Sequence, residues 1–252
     1  MKTSIKIIVT IFCFAMTTSC NSENPGMESE ITPPSTPPPS SSLQLPTQSG
    51  TINYLALGDS YTIGQSICES CKFPEQLKKS LKNLNQENNF SVEIIARTGW
   101  TTANLVNAIE QQKPSNNYDL VTLLIGVNNQ YQGINFTVYE KEFPELVIKA
   151  ISFAKGDKTK LIVVSIPDYA YTPFGQSYGN PASISTEIDR YNAFAKSYCQ
   201  NNGILFIDIT DITRNGLNNP KLVANDGLHP SETAYVLFVE RLLPKAVAIL
   251  KK

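Results

Sequence analysis

The residues of this sequence that could carry out nucleophilic chemistry are a serine near its start and a histidine near its end. Ser60 follows an apolar run, in Gly58-Asp59-Ser60, and His229 is the only histidine of the 252 residues. A serine hydroxyl is a poor nucleophile unless a base takes its proton, and imidazole, with an ordinary pKa of about 6.5, is the usual base. The pair predicts acyl transfer; the alternative for Gly-Asp-Ser by itself is a loop serine that caps the next helix.

An aspartate precedes the histidine by three residues, in Asp226-Gly227-Leu228-His229-Pro230. A compact turn can bring that carboxylate against the far ring nitrogen, where it fixes the tautomer and stabilises the imidazolium. The alternative is an ordinary Asp-Gly turn with a histidine on the surface. Ser60, His229 and Asp226 together predict a catalytic triad.

Two further residues could stabilise a tetrahedral intermediate. Gly99 and Asn128 each follow an apolar run, and they offer a backbone N–H and a side-chain amide as hydrogen-bond donors. Donors aimed at the developing negative oxygen are a large part of acyl-transfer catalysis. Each residue also has an alternative reading as a simple turn residue.

Five apolar runs alternate with five helical patterns, and these elements must position the reactive side chains. The near-continuous apolar runs predict buried parallel strands, and the alternation predicts a three-layer α/β/α sandwich whose active site lies beyond the carboxyl ends of the strands. The predicted strands are Ile52–Leu57, Val92–Ala96, Leu120–Ile125, Leu161–Ile166 and Ile204–Ile207. The predicted helices are Pro74–Leu84, Ala103–Gln112, Tyr139–Ala154, Ile184–Asn201 and Glu232–Leu250.

From about residue 51 to 250, the chain resembles the SGNH (GDSL-type) hydrolases, a family of esterases and lipases. The resemblance rests on four blocks in order: ALGDSYT at 56–62, Gly99 in Thr-Gly-Trp, Gly126-Val127-Asn128, and DGLHP at 226–230. It implies a flavodoxin-like parallel sheet of about five strands and neither a metal nor an organic cofactor. It also implies that Ser60, Asp226 and His229 form the triad, and that Ser60, Gly99 and Asn128 form the oxyanion hole.

The sequence departs from the family pattern at two positions, where Tyr61 replaces Leu and Asn129 replaces Asp. These residues and the loops at the same edge of the sheet, including Pro167–Phe174, are expected to shape the substrate pocket. Asp59 is expected to hold the turn through backbone hydrogen bonds rather than to catalyse. The residues predicted to bind substrate are Tyr61, Trp100, Asn129, Gln130, Tyr131, Asp168 and Tyr169.

The N-terminal part of the chain predicts export. Residues 1–20 have a positive start, a short apolar stretch and small residues before Cys20, which resembles a bacterial lipoprotein cleavage site, although Thr17 stands where an aliphatic residue is usual. Residues 21–50 are rich in Pro and Ser and predict a disordered tether before the hydrolase domain at 51–252. We expect a lipid-anchored protein facing the periplasm or the cell surface; the alternative is an ordinary signal peptide with a chance cysteine.

The remaining cysteines belong to the predicted domain. Cys68 and Cys71 form a Cys-x-x-Cys pair, for which a local disulfide beside the active site is favoured over a thioredoxin-like redox pair, because the context of that fold is missing. Cys199 is expected to be a buried helix residue.

The balance of charge limits the classes of partner. The 22 acidic residues nearly cancel the 21 basic ones, so no basic excess indicates nucleic-acid binding. The expected partners are a small-molecule or glycan ester and, through the lipid anchor, a membrane. The expected function is a serine esterase that deacylates extracellular glycans. Alternatives are a lysophospholipase or thioesterase, or a non-catalytic glycan-binding lipoprotein; a flavodoxin-like electron carrier is disfavoured because the first turn lacks the Ser and Thr that would cradle a flavin phosphate.

Overall fold

A computed structural model of the protein describes residues 50–251. The predicted export signal, its Cys20, and the tether as far as residue 49 lie outside the described residues. Within residues 50–251, no helix combines the length and the apolar character needed to cross a membrane.

Five parallel strands form one sheet, in the order β2-β1-β3-β4-β5. Gly58, the last residue of β1, pairs with Ala96 of β2 on one side and with Leu124 of β3 on the other. The chain therefore reverses its direction of travel across the sheet at β1, and this order is the flavodoxin-like one. The strands are β1 (Thr51–Gly58), β2 (Asn89–Ala96), β3 (Leu120–Leu124), β4 (Leu161–Val164) and β5 (Leu205–Ile207).

Helices cover both faces of the sheet. Nine are formed within the described residues: α1 (Ser60–Ile63), α2 (Phe73–Leu84), α3 (Thr102–Gln112), α4 (Val127–Tyr131), α5 (Phe136–Phe153), α6 (Pro173–Ser177), α7 (Pro181–Asn202), α8 (Thr210–Thr213) and α9 (Glu232–Leu250). Helix α2 packs on α9, while α3 packs on α5 and α5 on α7. Parallel crossovers are right-handed, and the crossover from β1 to β2 travels across the sheet in the direction opposite to the later crossovers. The pair α2 and α9 therefore lies on one face of the sheet, and α3, α5 and α7 lie on the other. The predicted three-layer sandwich is confirmed.

The edge strand β2 differs from its prediction. It begins three residues earlier than the predicted Val92. Its side chains alternate between exposed and partly buried positions as far as Ile94, and Ile95 is buried. The central strand β3 is buried along its whole length, as predicted. An edge strand has a neighbour on one side only, so its apolar residues gain less burial than those of a central strand.

The three cysteines of the described residues behave as predicted. Cys68 and Cys71 are joined by a disulfide across the short turn Glu69–Cys71, between α1 and α2. Cys199 is a free thiol buried in α7. Burial raises the pKa of the Cys199 thiol to about 12, so it stays protonated and unreactive at neutral pH.

Candidate active site

The predicted nucleophile lies immediately beyond the carboxyl end of β1. Asp59 caps α1, its carboxylate accepting the Tyr61 N–H at 3.0 Å, and Ser60 is the first helical residue. A Cβ atom on Gly58 would lie 2.1 Å from Thr62 Oγ1 and 2.5 Å from the Leu124 carbonyl oxygen, so only glycine fits this turn. The expectation that Asp59 holds the turn agrees with this geometry.

The predicted acid and base are already paired. Asp226 Oδ1 accepts the backbone N–H groups of Leu228 and His229 at 2.9 and 3.0 Å, and Oδ2 lies 2.6 Å from His229 Nδ1. An ionised carboxylate only accepts hydrogen bonds, so Nδ1 carries a proton and donates it to Asp226 Oδ2. The turn is closed by the Ala224 N–H, which donates to the His229 carbonyl oxygen at 2.7 Å.

The protonation state of the aspartate suits this pairing. Burial alone raises the pKa of Asp226, but hydrogen bonds from Ser66, from the His229 ring and from the two backbone N–H groups outweigh it, and the pKa falls to about 2. Asp226 is therefore a carboxylate across the neutral range.

Ser60 and His229 line one cavity of about 260 Å³ with Gly99 and Asn128. The four predicted residues thus meet beyond β1, β2 and β3, where the sheet order reverses. Among the hydrogen bonds of residues 50–251, none joins Ser60 Oγ to the His229 ring. Such bonds are often long without substrate and shorten only in the reacting complex.

Three donors surround the cavity beside Ser60. As the first residue of α1, Ser60 has a backbone N–H without an acceptor in its own helix. Gly99 has φ +80°, and nothing lies within 4 Å of the position of a Cβ atom, so its backbone is open to a ligand. Asn128 Nδ2 donates a hydrogen to the Trp100 carbonyl at 3.0 Å, which orients the amide, and the same side chain interacts with the Asp59 carboxyl and lowers the pKa of that group.

Of the seven residues predicted to bind substrate, three line this cavity: Tyr61, Tyr131 and Tyr169. The Tyr61 ring is buried against the His229 ring, with 5.3 Å between their centroids. Tyr131 is more than a third exposed and contacts Tyr169 edge to face. These rings form an aromatic wall beside the predicted nucleophile.

Asn129 and Gln130 do not line the cavity, and their prediction as substrate ligands is corrected. Asn129 is fully buried, accepting the Thr102 N–H at 2.9 Å and donating to Thr102 Oγ1 at 2.6 Å. Gln130 is buried and donates to Glu187 at 2.8 Å. Both side chains point into the protein because α4 packs between neighbouring helices. Their hydrogen bonds link α4 to Thr102 and to Glu187.

Asp168 and Trp100 also lie outside the cavity lining. The buried Asp168 carboxylate accepts hydrogen bonds from Ser185 Oγ at 2.7 Å and from Arg214 Nε at 2.9 Å. It is therefore already paired with groups of the protein. The void beside it measures only about 10 Å³, room for one water at most. Trp100 is partly buried against the core and contributes its carbonyl to Asn128.

The model of the GDSL-like Lipase/Acylhydrolase family matches residues 56–237. The chain belongs to this family. It is therefore an ester-hydrolysing serine hydrolase. No curated protein sequence matches the chain.

Solved structures of this hydrolase fold superpose on most of the chain. A lipolytic protein of the G-D-S-L family from Veillonella parvula has a TM-score of 0.58 at 20% identity, covering 76% of this chain and 96% of its own. A lipase/acylhydrolase from Enterococcus faecalis has a TM-score of 0.58 at 20% identity, covering 78% and 96%. An acetylxylan esterase from Geobacillus stearothermophilus has a TM-score of 0.54 at 19% identity, covering 79% and 95%. At these identities the likeness concerns the fold.

Several residues of this hydrolase site were not predicted. Val127 and Thr98 line the cavity, and Tyr178 packs on two of its lining rings. Ser66 donates to Asp226 Oδ2 at 2.6 Å across 160 residues of sequence. Tyr178 lies just beyond the last residue of α6 in an extended conformation, so helical spacing from Phe174 was no signal for it. A single serine in a loop carries no signal either.

Proposed function

We propose that the protein hydrolyses carboxylic esters with Ser60 as nucleophile, His229 as general base and acid, and Asp226 as the carboxylate that orients the imidazole. The observation that carries this proposal is the 2.6 Å contact between Asp226 Oδ2 and His229 Nδ1, in a histidine that shares a cavity with Ser60. A base whose ring is already oriented can take the proton of a serine that lines the same cavity.

The reaction proceeds in two acyl-transfer steps. His229 Nε2 takes the Ser60 proton as Ser60 Oγ attacks the ester carbonyl carbon, and the carbonyl oxygen becomes negative. The tetrahedral intermediate collapses, the bond to the alcohol oxygen breaks, and His229 returns the proton to that alcohol. Water then attacks the acyl-enzyme with the same base, and Ser60 leaves with its proton as the acid is released.

The negative oxygen is stabilised by the N–H groups of Ser60 and Gly99 and by the side-chain amide of Asn128. The open backbone at Gly99 and the fixed amide of Asn128 support this assignment. Donors held in place before the reaction need no reorganisation when charge develops, which is why such groups lower the barrier strongly.

For the substrate we propose a short acyl group on an extracellular glycan. An aromatic cluster of Tyr131, Phe174 and Tyr178 supports this choice. Tyr178 lies 4.9 Å from Tyr131 and 5.4 Å from Phe174 between ring centroids, and Tyr131 and Tyr178 are 38% and 41% exposed. The rings of Phe174 and Tyr178 are nearly parallel, at 15°, and the Tyr131 ring is tilted by 30° from that of Tyr178. The exposed parts of Tyr131 and Tyr178 offer flat apolar surfaces of the kind on which a sugar ring stacks. The cavity of about 260 Å³ suits a short acyl group.

An acetylxylan esterase is among the proteins of similar fold, which is consistent with a glycan ester. A lysophospholipase or thioesterase is the second candidate, and the apolar Val127 and Leu228 in the cavity lining favour it. Acyl chain length separates the two: a glycan deacetylase prefers acetate, whereas a lipid hydrolase prefers longer acyl chains.

We also propose that residues 1–20 direct export, that Cys20 is lipidated, and that residues 21–50 hold the enzyme away from a membrane surface. Small residues before Cys20 and the Pro/Ser-rich composition after it support this. Expression in bacteria with labelled palmitate tests it: the wild type should carry label in the membrane fraction and Cys20→Ala should not. Label on both proteins would contradict the assignment.

The function is tested with p-nitrophenyl acetate, p-nitrophenyl decanoate and acetylated xylooligosaccharide, using the wild type, Ser60→Ala and His229→Ala. We expect turnover by the wild type, preference for acetate, and losses of about 10⁴-fold or more in both variants. Equal background rates for all three proteins on all three substrates would overturn the proposal. Preference for decanoate would keep the triad and favour the lipid alternative.

A further inference from the structure

The loop between α1 and α2, residues 64–72, contacts residues near the C-terminal end of the domain. Ser66 Oγ donates to Asp226 Oδ2 at 2.6 Å, and the same oxygen lies 2.6 Å from His229 Nδ1. The segment that follows the predicted nucleophile thus touches the carboxylate of the acid–base pair. Neither the family match nor the mechanism above gives Ser66 a role.

The backbone at Ser66 is held in an unfavourable conformation. Its φ is +67°. Among the non-glycine residues that the structure describes, only Lys113 and Lys155 also have a positive φ. L-residues other than Asn and Asp rarely adopt such a φ, and a serine kept there costs free energy that its surroundings must offset. The conformation aims the hydroxyl at Asp226.

The loop is fastened on both sides of Ser66. Gln65 Oε1 accepts a hydrogen bond from Thr98 Oγ1 at 2.5 Å, next to Gly99. The disulfide between Cys68 and Cys71 closes the other side of the loop. Ser66 therefore lies between a hydrogen bond to Thr98, next to Gly99, and the disulfide. Both restrain the backbone that positions its hydroxyl.

We propose that Ser66 is a positioning residue of the hydrolase, which holds the Asp226 carboxylate in the orientation that keeps the His229 proton on Nδ1. This inference rests on the proposed function. The two backbone N–H groups fix Oδ1, while Oδ2 is held by Ser66 on one side and the imidazole on the other. Without the hydroxyl, Oδ2 is held by the imidazole alone, and the carboxylate and the ring can rotate together.

Ser66→Gly tests the role of the hydroxyl. Glycine adopts φ +67° without strain, so this variant removes the donor and relaxes the backbone together, and it should be no less stable than the wild type. Ser66→Asn is the conservative partner, because asparagine tolerates positive φ and its amide is a donor. The matched control is Ser115→Gly, which removes a hydroxyl that donates to Asn117 Oδ1 at 2.6 Å. Ser115 precedes β3 and therefore lies at the amino ends of the strands, away from the site.

Two measurements are made on each variant. The first is kcat and KM with p-nitrophenyl acetate. The second is ¹⁵N NMR of histidine-labelled protein at pH 8, which reports a single imidazole because His229 is the only histidine of the sequence. The ¹⁵N shifts give the fraction of the ring with its proton on Nδ1, a quantity that a residue needed only for loop packing would not alter.

For Ser66→Gly we expect kcat to fall about tenfold with KM within about twofold, since a hydrogen bond to a charged group is lost while two backbone donors remain. The fraction protonated at Nδ1 should fall. Ser66→Asn should retain at least about a third of wild-type kcat, and Ser115→Gly should match the wild type. In Asp226→Asn, adding Ser66→Gly should change kcat less than about twofold, because the shared partner is already altered.

Unchanged kcat in Ser66→Gly would overturn the inference, as would a lowered kcat with an unchanged imidazole. If Ser66→Gly does not fold, Ser66→Ala is read in the same two assays. Failure of the proposed function is a distinct result: the wild type would then hydrolyse no ester, while the NMR comparison would still report whether Ser66 controls the His229 ring.

Discussion

The hydroxyl of Tyr235 donates a hydrogen bond to the carbonyl oxygen of Tyr61 at 2.8 Å, joining residues 174 positions apart. Tyr61 follows the predicted nucleophile by one residue, and Tyr235 lies in the first turn of the helix that begins shortly after His229. Both rings are buried. This bond fixes the distance between the segments that carry the nucleophile and the base.

Tyr235→Phe keeps the ring packing and leaves the Tyr61 carbonyl oxygen without its partner. We expect the free energy of unfolding to fall by about 1–3 kcal/mol and kcat to fall several-fold, because the nucleophile and base are less well aligned. Urea denaturation and steady-state kinetics measure the two effects. Tyr54→Phe is the control: it removes a buried bond of 2.8 Å to Thr122 within the sheet and should cost stability with little change in kcat. Equal kcat values for the two variants would contradict a role in alignment.

Asp59 should make stability depend on pH. Burial raises the pKa of its carboxyl to about 7, against the opposing effect of the backbone N–H of Tyr61. The folded protein therefore holds this proton more tightly than the unfolded chain, and the resulting stability is complete below pH about 4 and is lost as pH rises through 7.

Asp59→Asn mimics the protonated carboxyl at every pH. The free energy of unfolding of the variant, relative to the wild type, should rise between pH 4 and pH 8 by on the order of a few kcal/mol. Denaturant curves at pH 4, 6 and 8 measure it. A constant difference across this range would show that the Asp59 carboxyl does not titrate near neutrality.

Asn128→Ala should reduce kcat by about 10²–10³-fold with p-nitrophenyl acetate, because it removes a proposed oxyanion donor. The neighbouring Asn129→Ala is a matched control, since its amide bonds Thr102 and is fully buried. That variant should lower the melting temperature and leave kcat within a few-fold. The reverse pattern would exchange the roles of the two residues.

Removing the disulfide should weaken catalysis more than folding. The Cys68→Ala/Cys71→Ala variant opens a loop of four residues, which costs at most about 2 kcal/mol in stability. If this link holds Ser66 in place, kcat should fall in the double variant, and Ser66→Gly should add little to that loss. Reduction by dithiothreitol should lower the kcat of the wild type as the two substitutions do. It should lower the kcat of Cys199→Ala to the same extent, because Cys199 is a free thiol outside the disulfide. Activity that is indifferent to reduction would separate the disulfide from the site.

The aromatic cluster should affect glycan substrates selectively. Phe174→Ala and Tyr178→Ala should each raise KM for acetylated xylooligosaccharide about fivefold, from the loss of one aromatic stacking surface, and change KM for p-nitrophenyl acetate less than twofold. Tyr171→Ala is the control, because Tyr171 is 36% exposed and does not line the cavity. Equal effects on both substrates would place the cluster in acyl binding.

Sequence periodicity predicted the sheet well because buried parallel strands and amphipathic helices leave strong patterns. All five strands and the five long helices were found, although α5 and α7 each begin three residues earlier than predicted, at Phe136 and Pro181. Asn135 and Asn180 cap these helices through their side chains. The short helices α1, α4, α6 and α8 were not predicted, because four or five residues do not complete a repeating pattern.

The strand ends predicted which distant residues share the cavity, but individual side-chain hydrogen bonds were predicted only between residues close in sequence. The three-residue spacing of Asp226 and His229 made their contact foreseeable. The direction of the Asn129 side chain was not, since it depends on how α4 rests against Thr102. The same holds for Ser66, whose partner follows it by 160 residues.

The proposed nucleophile lies in β1–α1 and the proposed base just before α9, so the two are made at different times. A ribosome translates Ser60 early and His229 only when most of the domain has been made. A nascent or truncated chain ending before residue 226 has the serine without the histidine. Under the proposed mechanism such a chain should not hydrolyse esters, and activity should appear only once residues 226–229 have been added.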